Sequence, residues 1–305
     1  MDTVTAREQD FAALAGRLRG ELTRHCYRMM GSAPDAEDCV QQALLLGWRE
    51  YGSLQDLGAA RPWLYAIATR VCLDALRARK RRMNLFGPSL DEFEPSAGPW
   101  VEPFPGGVPL GGPESAGSIR LAFVALLHDL TPKARAVLLL HDVVGLTASE
   151  VSTALDLTLA AARSALQRAR QVLAAKPERR VEKPTDGRVV EAYVAAWNAG
   201  DVTALIGLLH RDIVMTMPPW QRTFHGRDAV GTFMTGVWPR YRAFHAVASQ
   251  VNGQSAVALS ARGETDEMRL HSLHVLGGSG DSIDEIILYA PPLGAELMNA
   301  WISAP

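Results

Sequence analysis

The chain has 305 residues, of which 48% are hydrophobic and 21% charged, and its formal net charge is −2. This composition is typical of a globular protein with two or three domains and argues against a disordered chain. No apolar run approaches the roughly 18 residues that a membrane span requires, and the N-terminus has no signal-like apolar core. We therefore expect a cytoplasmic protein with no membrane contact.

The charge is distributed unevenly along the chain. Residues 1–85 have a net charge of +3, residues 86–117 of −5, residues 118–181 of +4 and residues 182–305 of −4. Two basic segments flank an acidic connector, and an acidic segment follows. Such segments favour a polyanionic partner, although a charge run is about as often only a solvated helix face. The three cysteines, Cys26, Cys39 and Cys72, lie in apolar helical patterns and are expected to be buried thiols, so no metal or other cofactor is predicted.

Residues 7–82 show helical periodicity and predict three helices, the second of which begins near Pro34. The third runs from about residue 61 and ends in LDALRARKRR, residues 73–82, where five of the last six residues are basic. Trp63, Arg70, Arg77 and Arg81 form a stripe apart from its apolar core face. An aromatic residue followed by arginines is typical of a nucleic-acid surface, because rings stack on unpaired bases while arginine binds phosphate.

Residues 87–117 are rich in Gly and Pro, contain no basic residue and predict a linker. Residues 118–176 are helical again, and Thr147 with Glu150 predicts a capping box. A short helix, a turn at Asp156-Leu157-Thr158 and a longer helix from Leu159 follow, the longer one basic on its outer side. This pattern favours a helix-turn-helix, with an ordinary helical hairpin as the alternative.

Residues 177–185 predict a second linker, and residues 186–305 read as helices followed by a meander of strands, which indicates an α+β domain. DVTALIGLLHRD is expected to be helical throughout. His271 and His274, three residues apart on a predicted strand, are expected to point to opposite faces and so not to share a metal ion.

Three stretches resemble the extracytoplasmic-function sigma factors of bacterial RNA polymerase. HCYRMMGSAPDAEDCVQQALLLGWREY and RPWLYAIATRVCLDALRARKRR are similar to sigma region 2, and LTPKARAVLLLHDVVGLTASEVSTALDLTLAAARSALQRAR is similar to region 4. Residues 186–305 resemble SnoaL-like domains of the NTF2 cone fold. The implied fold is multidomain: two all-α sigma domains (1–86 and 118–176), the linkers 87–117 and 177–185, and an α+β cone domain at 186–305.

The resemblance implies a sigma factor whose partners are core RNA polymerase, at the β′ clamp and the β flap, and promoter DNA. The implied polymerase-binding residues are Asp35, Glu37, Asp38, Gln41, Gln42 and Trp48. The implied contacts with the −10 element are Trp63, Arg70, Arg77, Lys80, Arg81 and Arg82. The implied contacts with the −35 element are Arg163, Ser164, Gln167, Arg168 and Arg170.

The cone domain is expected to regulate the sigma domains of the same chain rather than to act as an enzyme. A pocket for an unknown small molecule would be lined by Trp197, Trp220, His225 and Trp238. The alternative is a DNA-binding module fused to a SnoaL-like cyclase or isomerase, but no catalytic constellation is visible in the sequence.

Overall fold

The computed structural model describes residues 2–54, 56–86, 101–104, 121–175, 185–218, 222–263, 267–278 and 280–289. The chain folds into two compact units. The helical unit comprises the described residues up to 86, 101–103 and 121–175, and the sheet domain comprises Phe104 and the described residues from 185 onward. The predicted linkers fall almost wholly outside the described residues.

Three helices form the first half of the helical unit: α1 (Asp2–Met30), α2 (Ala33–Glu50) and α3 (Ala60–Phe86). Gly31 adopts a φ of +74° between α1 and α2, a conformation that glycine reaches without a steric penalty. Ser32 then caps α2 by accepting the backbone N–H of Asp35, and Pro34 occupies the first turn, as predicted. The apolar faces of the three helices pack together around Leu22, Leu64 and Ala43, each almost completely buried.

The second half contains α4 (Leu121–His128), α5 (Pro132–Leu138), a π-helical turn (Leu139–Val143), α6 (Ala148–Ala154) and α7 (Leu159–Ala174). The capping box of Thr147 and Glu150 at the start of α6 is present, which confirms that prediction. Asp156 has a φ of +51° in the turn before α7, a conformation that Asp tolerates better than most residues. Helices α6 and α7 pack against each other as a helix-turn-helix.

Arg135 joins the two halves of the helical unit. Its guanidinium is buried and donates hydrogen bonds to the carbonyl oxygens of Met29, Leu127 (3.0 Å) and Leu130 (3.3 Å), and it contacts Nε2 of His128 at 3.0 Å. A buried guanidinium is tolerated only when its N–H groups find such acceptors. Arg135 therefore supports the fold rather than a binding surface.

The sheet domain contains α8 (Gly187–Ala199), α9 (Val202–Gly207), α10 (Arg227–Val237) and a six-stranded sheet of order β2-β1-β6-β5-β4-β3. The strands are β1 (Leu209–Met217), β2 (Arg222–His225), β3 (Ala243–Val251), β4 (Gln254–Arg262), β5 (Met268–Gly278) and β6 (Ile283–Tyr289). Among the strand pairs of the described residues, β1–β6 is parallel and the other four are antiparallel. Helix α8 packs on β3 and β4, and α10 packs on β1 and β2, which encloses a core of aliphatic and aromatic residues.

The sequence analysis placed one helix end wrongly in this domain and missed one strand. The predicted helix DVTALIGLLHRD stops at Gly207, and Leu209 already begins β1, because its backbone pairs with Ile283 of β6. The strand β2 was not predicted, since its residues are mostly exposed and lack the apolar alternation that identifies a strand. In both places sheet pairing distant in sequence determines the local structure.

Candidate nucleic-acid interface

One exposed stripe of α2 combines acidic, amide and apolar side chains. Asp38, Gln41, Leu45 and Trp48 follow helical spacing and are all exposed, with Leu45 at 59% and Trp48 at 53%. Two large apolar side chains left in solvent on one helix face are typical of a docking surface. Glu37 and Gln42 are also exposed, whereas Asp35 is half-buried and forms an ion pair with Arg79 at 3.7 Å. Leu45 was missed by the sequence reasoning, although its helical spacing from Gln41 and Trp48 could have identified it.

The basic end of α3 is exposed, so its side chains are accessible to a nucleic acid. Arg77, Lys80 and Arg81 point to solvent, and Arg77 pairs with Asp74 one turn earlier. The side chain of Arg82 lies outside the described residues. Trp63 is half-buried, with its ring centroid 6.4 Å from that of Tyr51. The structure thus brings Arg77, Lys80 and Arg81 together at one end of α3 and places Trp63 at the other.

Arg70 lies between these ends but is already engaged. Its Nε donates to the carbonyl oxygen of Ala154 at 2.8 Å and its Nη2 to that of Thr153 at 3.5 Å, so it binds the C-terminal end of α6. A cation there complements the helix dipole and satisfies carbonyls that have no partner within the helix. Arg61 makes a similar contact, from its Nη1 to the carbonyl oxygen of Val144 at 3.2 Å, while it also pairs with Glu21. Arg61 was not singled out from the sequence.

Helix α7 presents a polar face beside an open groove of about 510 Å³. The predicted −35 contacts Arg163, Ser164, Gln167, Arg168 and Arg170 are all exposed, whereas Ala162, Leu166 and Ala169 are buried in the core. Sequence periodicity assigns these three residues, together with Leu159 and Leu173, to the core face; Leu173 is half-buried and Leu159 is exposed. The groove is lined by His141, Ala148, Arg163, Leu166, Gln167, Arg170, Gln171 and Ala174. Arg163 and Gln167 therefore share one wall, while Ser164 and Arg168 do not line it.

The sheet domain holds a continuous chain of hydrogen bonds in its interior. Tyr193 Oη lies 2.8 Å from His274 Nδ1, and His274 Nε2 lies 2.8 Å from Ser272 Oγ. Ser272 Oγ is 3.0 Å from His271 Nδ1, whose Nε2 is 3.0 Å from Tyr241 Oη. Burial lowers the pKa of His274 to about 3, which keeps the ring neutral, and it lowers the pKa of His271 as well.

A β-bulge explains why both histidines enter one chain, against the expectation that they point to opposite faces. Leu259 of β4 pairs with Ser272 and Ser260 pairs with Leu270, so His271 is an extra residue in β5. A bulge interrupts the alternation of side chains along a strand. The sequence pattern contains no signal for it.

The predicted pocket residues come together only in part. The rings of Trp197 and Trp238 stack with centroids 4.6 Å apart, and Phe244 contacts both. His225 is exposed on β2, and Trp220 lies outside the described residues. Among the described residues, no group of three or more His, Cys, Asp or Glu side chains could hold a metal ion. No helix in the described ranges has both the length and the apolarity needed to cross a membrane.

Three known protein families match successive parts of this chain. Residues 14–82 match Sigma-70 region 2, residues 120–173 match Sigma-70, region 4, and residues 190–283 match the SnoaL-like domain. The ECF RNA polymerase sigma factor SigG of Mycobacterium tuberculosis is 34% identical, over 93% of this chain and 82% of the relative. SigJ of the same organism is 32% identical, over 73% of this chain and 72% of the relative.

A solved structure supports the same assignment. The crystal structure of the Mycobacterium tuberculosis extracytoplasmic function sigma factor SigJ superposes with a TM-score of 0.65 at 25% identity, covering 92% of this chain and 96% of that one. The structure has a helical unit followed by an α+β sheet domain. This order agrees with the matched family regions and with the relatives above. The chain therefore belongs to the extracytoplasmic-function sigma factors of the sigma-70 family and carries a C-terminal SnoaL-like domain.

Proposed function

We propose that this protein binds core RNA polymerase, recognises the −10 and −35 elements of a promoter and directs transcription initiation. The observation that carries the proposal is the placement of its polar surfaces: the basic end of α3 and the polar face of α7 lie on the two helical modules matched to regions 2 and 4. The same chain offers an acidic and apolar stripe on α2 for a protein partner.

The polymerase contacts follow from this division of surfaces. Asp38, Gln41, Leu45 and Trp48 on α2 form a stripe suited to the β′ clamp, since a central aromatic with a polar rim is typical of a protein interface. Region 4 would contact the β flap. The basic side chains of α3 would neutralise phosphates near the melted −10 segment, and Trp63 would stack near its upstream edge.

Helix α7 would read the −35 element. Arg163 and Gln167 line the groove and are suited to base edges, while Arg168 and Arg170 would mainly contact phosphate or support the helix. Losing a bidentate base contact costs about 1–3 kcal/mol in discrimination. Arg163→Ala should therefore relax the −35 preference in run-off transcription from a promoter library with core polymerase. Arg168→Ala, one turn away, is the control and should weaken all promoters alike. An unchanged preference for Arg163→Ala would contradict the assignment.

The contact of Arg70 with α6 implies that the helical unit opens on the promoter. The two elements are centred about 25 base pairs apart, roughly 85 Å at 3.4 Å per base pair, whereas Arg70 of α3 touches Ala154 of α6 directly. On a promoter the helices α3 and α6 would lie on separate elements, so the contact between Arg70 and Ala154 would be lost. The described arrangement is thus a closed state, and promoter binding separates α3 from α6.

The SnoaL-like domain would control the sigma regions of its own chain. Its segment has a net charge of −4, against +3 and +4 for the two sigma segments, and a tether keeps even a weak interaction effective. A small molecule bound beside the Trp197–Trp238 stack would change activity only if it favoured one state of the chain. Activity from one promoter should differ between residues 1–181 and the full chain with equal polymerase; equal activity and promoter affinity would contradict control in cis.

The alternative, an enzyme fused to a DNA-binding module, lacks an observation in its favour. Ser272 links the two histidines of the hydrogen-bond chain in the sheet domain: its Oγ hydrogen-bonds to Nδ1 of His271 and to Nε2 of His274. His274 has both ring nitrogens occupied, by Tyr193 and Ser272. Turnover of a steroid-like or polyketide-like substrate by the purified chain would favour the enzyme instead.

A further inference from the structure

The π-helical turn after α5 carries an acidic residue that contacts the proposed recognition helix. The N–H of Val144 bonds to the carbonyl oxygen of Leu139 at 2.9 Å, five residues back, and Gly145 ends the turn with a φ of +85°. A π turn contains one residue more per turn than an α-helix and is frequently found at functional sites. Here the turn includes His141 and Asp142.

Asp142 clamps Arg170 of α7 through both carboxylate oxygens. Arg170 Nε donates to Oδ2 at 3.0 Å and Nη2 to Oδ1 at 2.5 Å, which is the bidentate geometry of a strong arginine–carboxylate pair. His141 Nδ1 lies 2.8 Å from Oδ1 of the same carboxylate. Donation from Arg170 is the largest influence on this carboxyl group, and it lowers the pKa of Asp142.

The clamp lies on the same face of α7 as the proposed base readers. Arg163, Gln167 and Arg170 follow the i, i+4, i+7 spacing of one helix face and line one groove together with His141 of the π turn. The ion pair between Arg170 and Asp142 therefore joins α7 to the π turn. Rotation of α7 about its axis would move Arg170 together with Arg163 and Gln167. Two nitrogens of the Arg170 guanidinium donate to the carboxylate of Asp142.

We propose that Asp142 is a positioning residue that determines −35 specificity: by clamping Arg170 it sets the rotation of α7 that aims Arg163 and Gln167 at base edges. The same clamp keeps Arg170 from binding phosphates without regard to sequence. This inference rests on the proposed function, in which α7 reads the −35 element.

The proposal predicts two opposite effects when the carboxylate is removed. Arg170 becomes available for a phosphate, so affinity for any sequence should rise and the salt dependence of binding should steepen by about one released counterion. Discrimination should fall at the same time, because α7 loses one of the contacts that fix its rotation. A residue that only stabilised the fold would lower affinity for cognate and scrambled sequences alike.

The test uses the full chain with saturating core polymerase and two promoter duplexes that differ only in the −35 element, one enriched from a randomised library and one scrambled. Asp142→Asn should reduce the preference for the enriched duplex by about fivefold, the lower end of one bidentate base contact, and should bind the scrambled duplex more tightly at low salt. The exchange D142R/R170D should restore part of the preference, since it restores the ion pair with opposite polarity.

Asp156→Asn is the matched control. It removes the same charge from an exposed position of the same helical unit, in the turn between α6 and α7, and Asn tolerates the positive φ of that turn. This variant should keep the preference of the unmodified chain. Equal preference for Asp142→Asn and the unmodified chain, or a parallel loss of affinity for both duplexes, would overturn the clamp. An unmodified chain that does not distinguish the duplexes would instead remove the proposed −35 function itself.

Discussion

The charged and polar side chains that the proposed function uses lie on exposed helix faces of the helical unit, whereas the sheet domain encloses a linked set of tyrosine and histidine side chains. Asp38, Arg163 and Gln167 all face solvent, while Tyr193 and His274 are at most 1% exposed. Surfaces that bind DNA or another protein need accessible charge, and a helix delivers it in stripes. The inward groups of the sheet domain instead bond to one another, and their positions depend on strand pairing.

This difference has an energetic basis. A buried hydroxyl or imidazole costs free energy unless it is hydrogen-bonded, and the chain from Tyr193 to Tyr241 provides a partner at every step. An exposed arginine has no such requirement, so it can exchange one partner for another. Arg70 can therefore leave Ala154 for a phosphate, whereas His274 cannot leave Tyr193 without leaving a buried polar group unpaired.

The sequence predicts features that depend on local helix geometry, and it does not predict features that depend on contacts between distant segments. Helical periodicity assigns Leu159, Ala162, Leu166, Ala169 and Leu173 of α7 to one apolar face. The structure buries Ala162, Leu166 and Ala169, as local geometry predicts, but Leu159 at the start of the helix is 38% exposed. The capping box at Thr147 is likewise local. The bulge at His271 and the clamp between Asp142 and Arg170 depend on contacts between segments distant in sequence, which periodicity does not contain.

The largest expected effect concerns the apolar part of the α2 stripe. The double variant Leu45→Ala/Trp48→Ala should weaken binding to core polymerase by about 3 kcal/mol, a little over a hundredfold in Kd, because exposed aromatic anchors dominate interface energies. Val247→Ala is the matched control, since Val247 is an equally exposed apolar residue on β3 of the sheet domain. Binding is measured by fluorescence anisotropy with labelled chain. An equal, small effect of both changes would remove the stripe from the polymerase interface.

A smaller effect is expected from the protonation of His274, which is buried in the sheet domain. Its folded pKa of about 3 lies below the ordinary value near 6.5, so the unfolded chain binds more protons and stability is lost as the pH falls below about 6.5. This amounts to about 2 kcal/mol at pH 5. His274→Gln removes the titration and should make the unfolding of the sheet domain less dependent on pH, as measured by tryptophan fluorescence.

The helical unit provides the internal control for that measurement. Burial lowers the pKa of His25 and of His128 to about 3 as well, so the helical unit should keep its pH dependence in the His274→Gln chain. Far-UV circular dichroism, which is dominated by the helices, reports this transition. An unchanged pH dependence of the sheet domain in the variant would show that protonation of His274 does not limit its stability.

The smallest expected effect concerns the closed state of the helical unit. Arg61 is partly exposed, so its contacts with Val144 and Glu21 contribute less than about 1 kcal/mol. If the closed state predominates, apparent promoter affinity is reduced by the fraction of chains that are open. Arg61→Ala should raise that fraction and tighten apparent binding up to about threefold, although the change removes a positive charge.

Whether Arg61→Ala tightens or weakens promoter binding therefore distinguishes a closed state that limits binding from a simple loss of positive charge. Arg17→Ala removes the same charge from an exposed position on α1 of the same unit, and it should leave promoter binding unchanged or slightly weaker, because less charge attracts the phosphates. Binding is compared at low salt with saturating polymerase. Tighter binding for Arg61→Ala alone supports release of α3 from the segment at Val144 as a step before promoter recognition. Weaker binding for both variants would mean that the contact between Arg61 and Val144 does not limit opening.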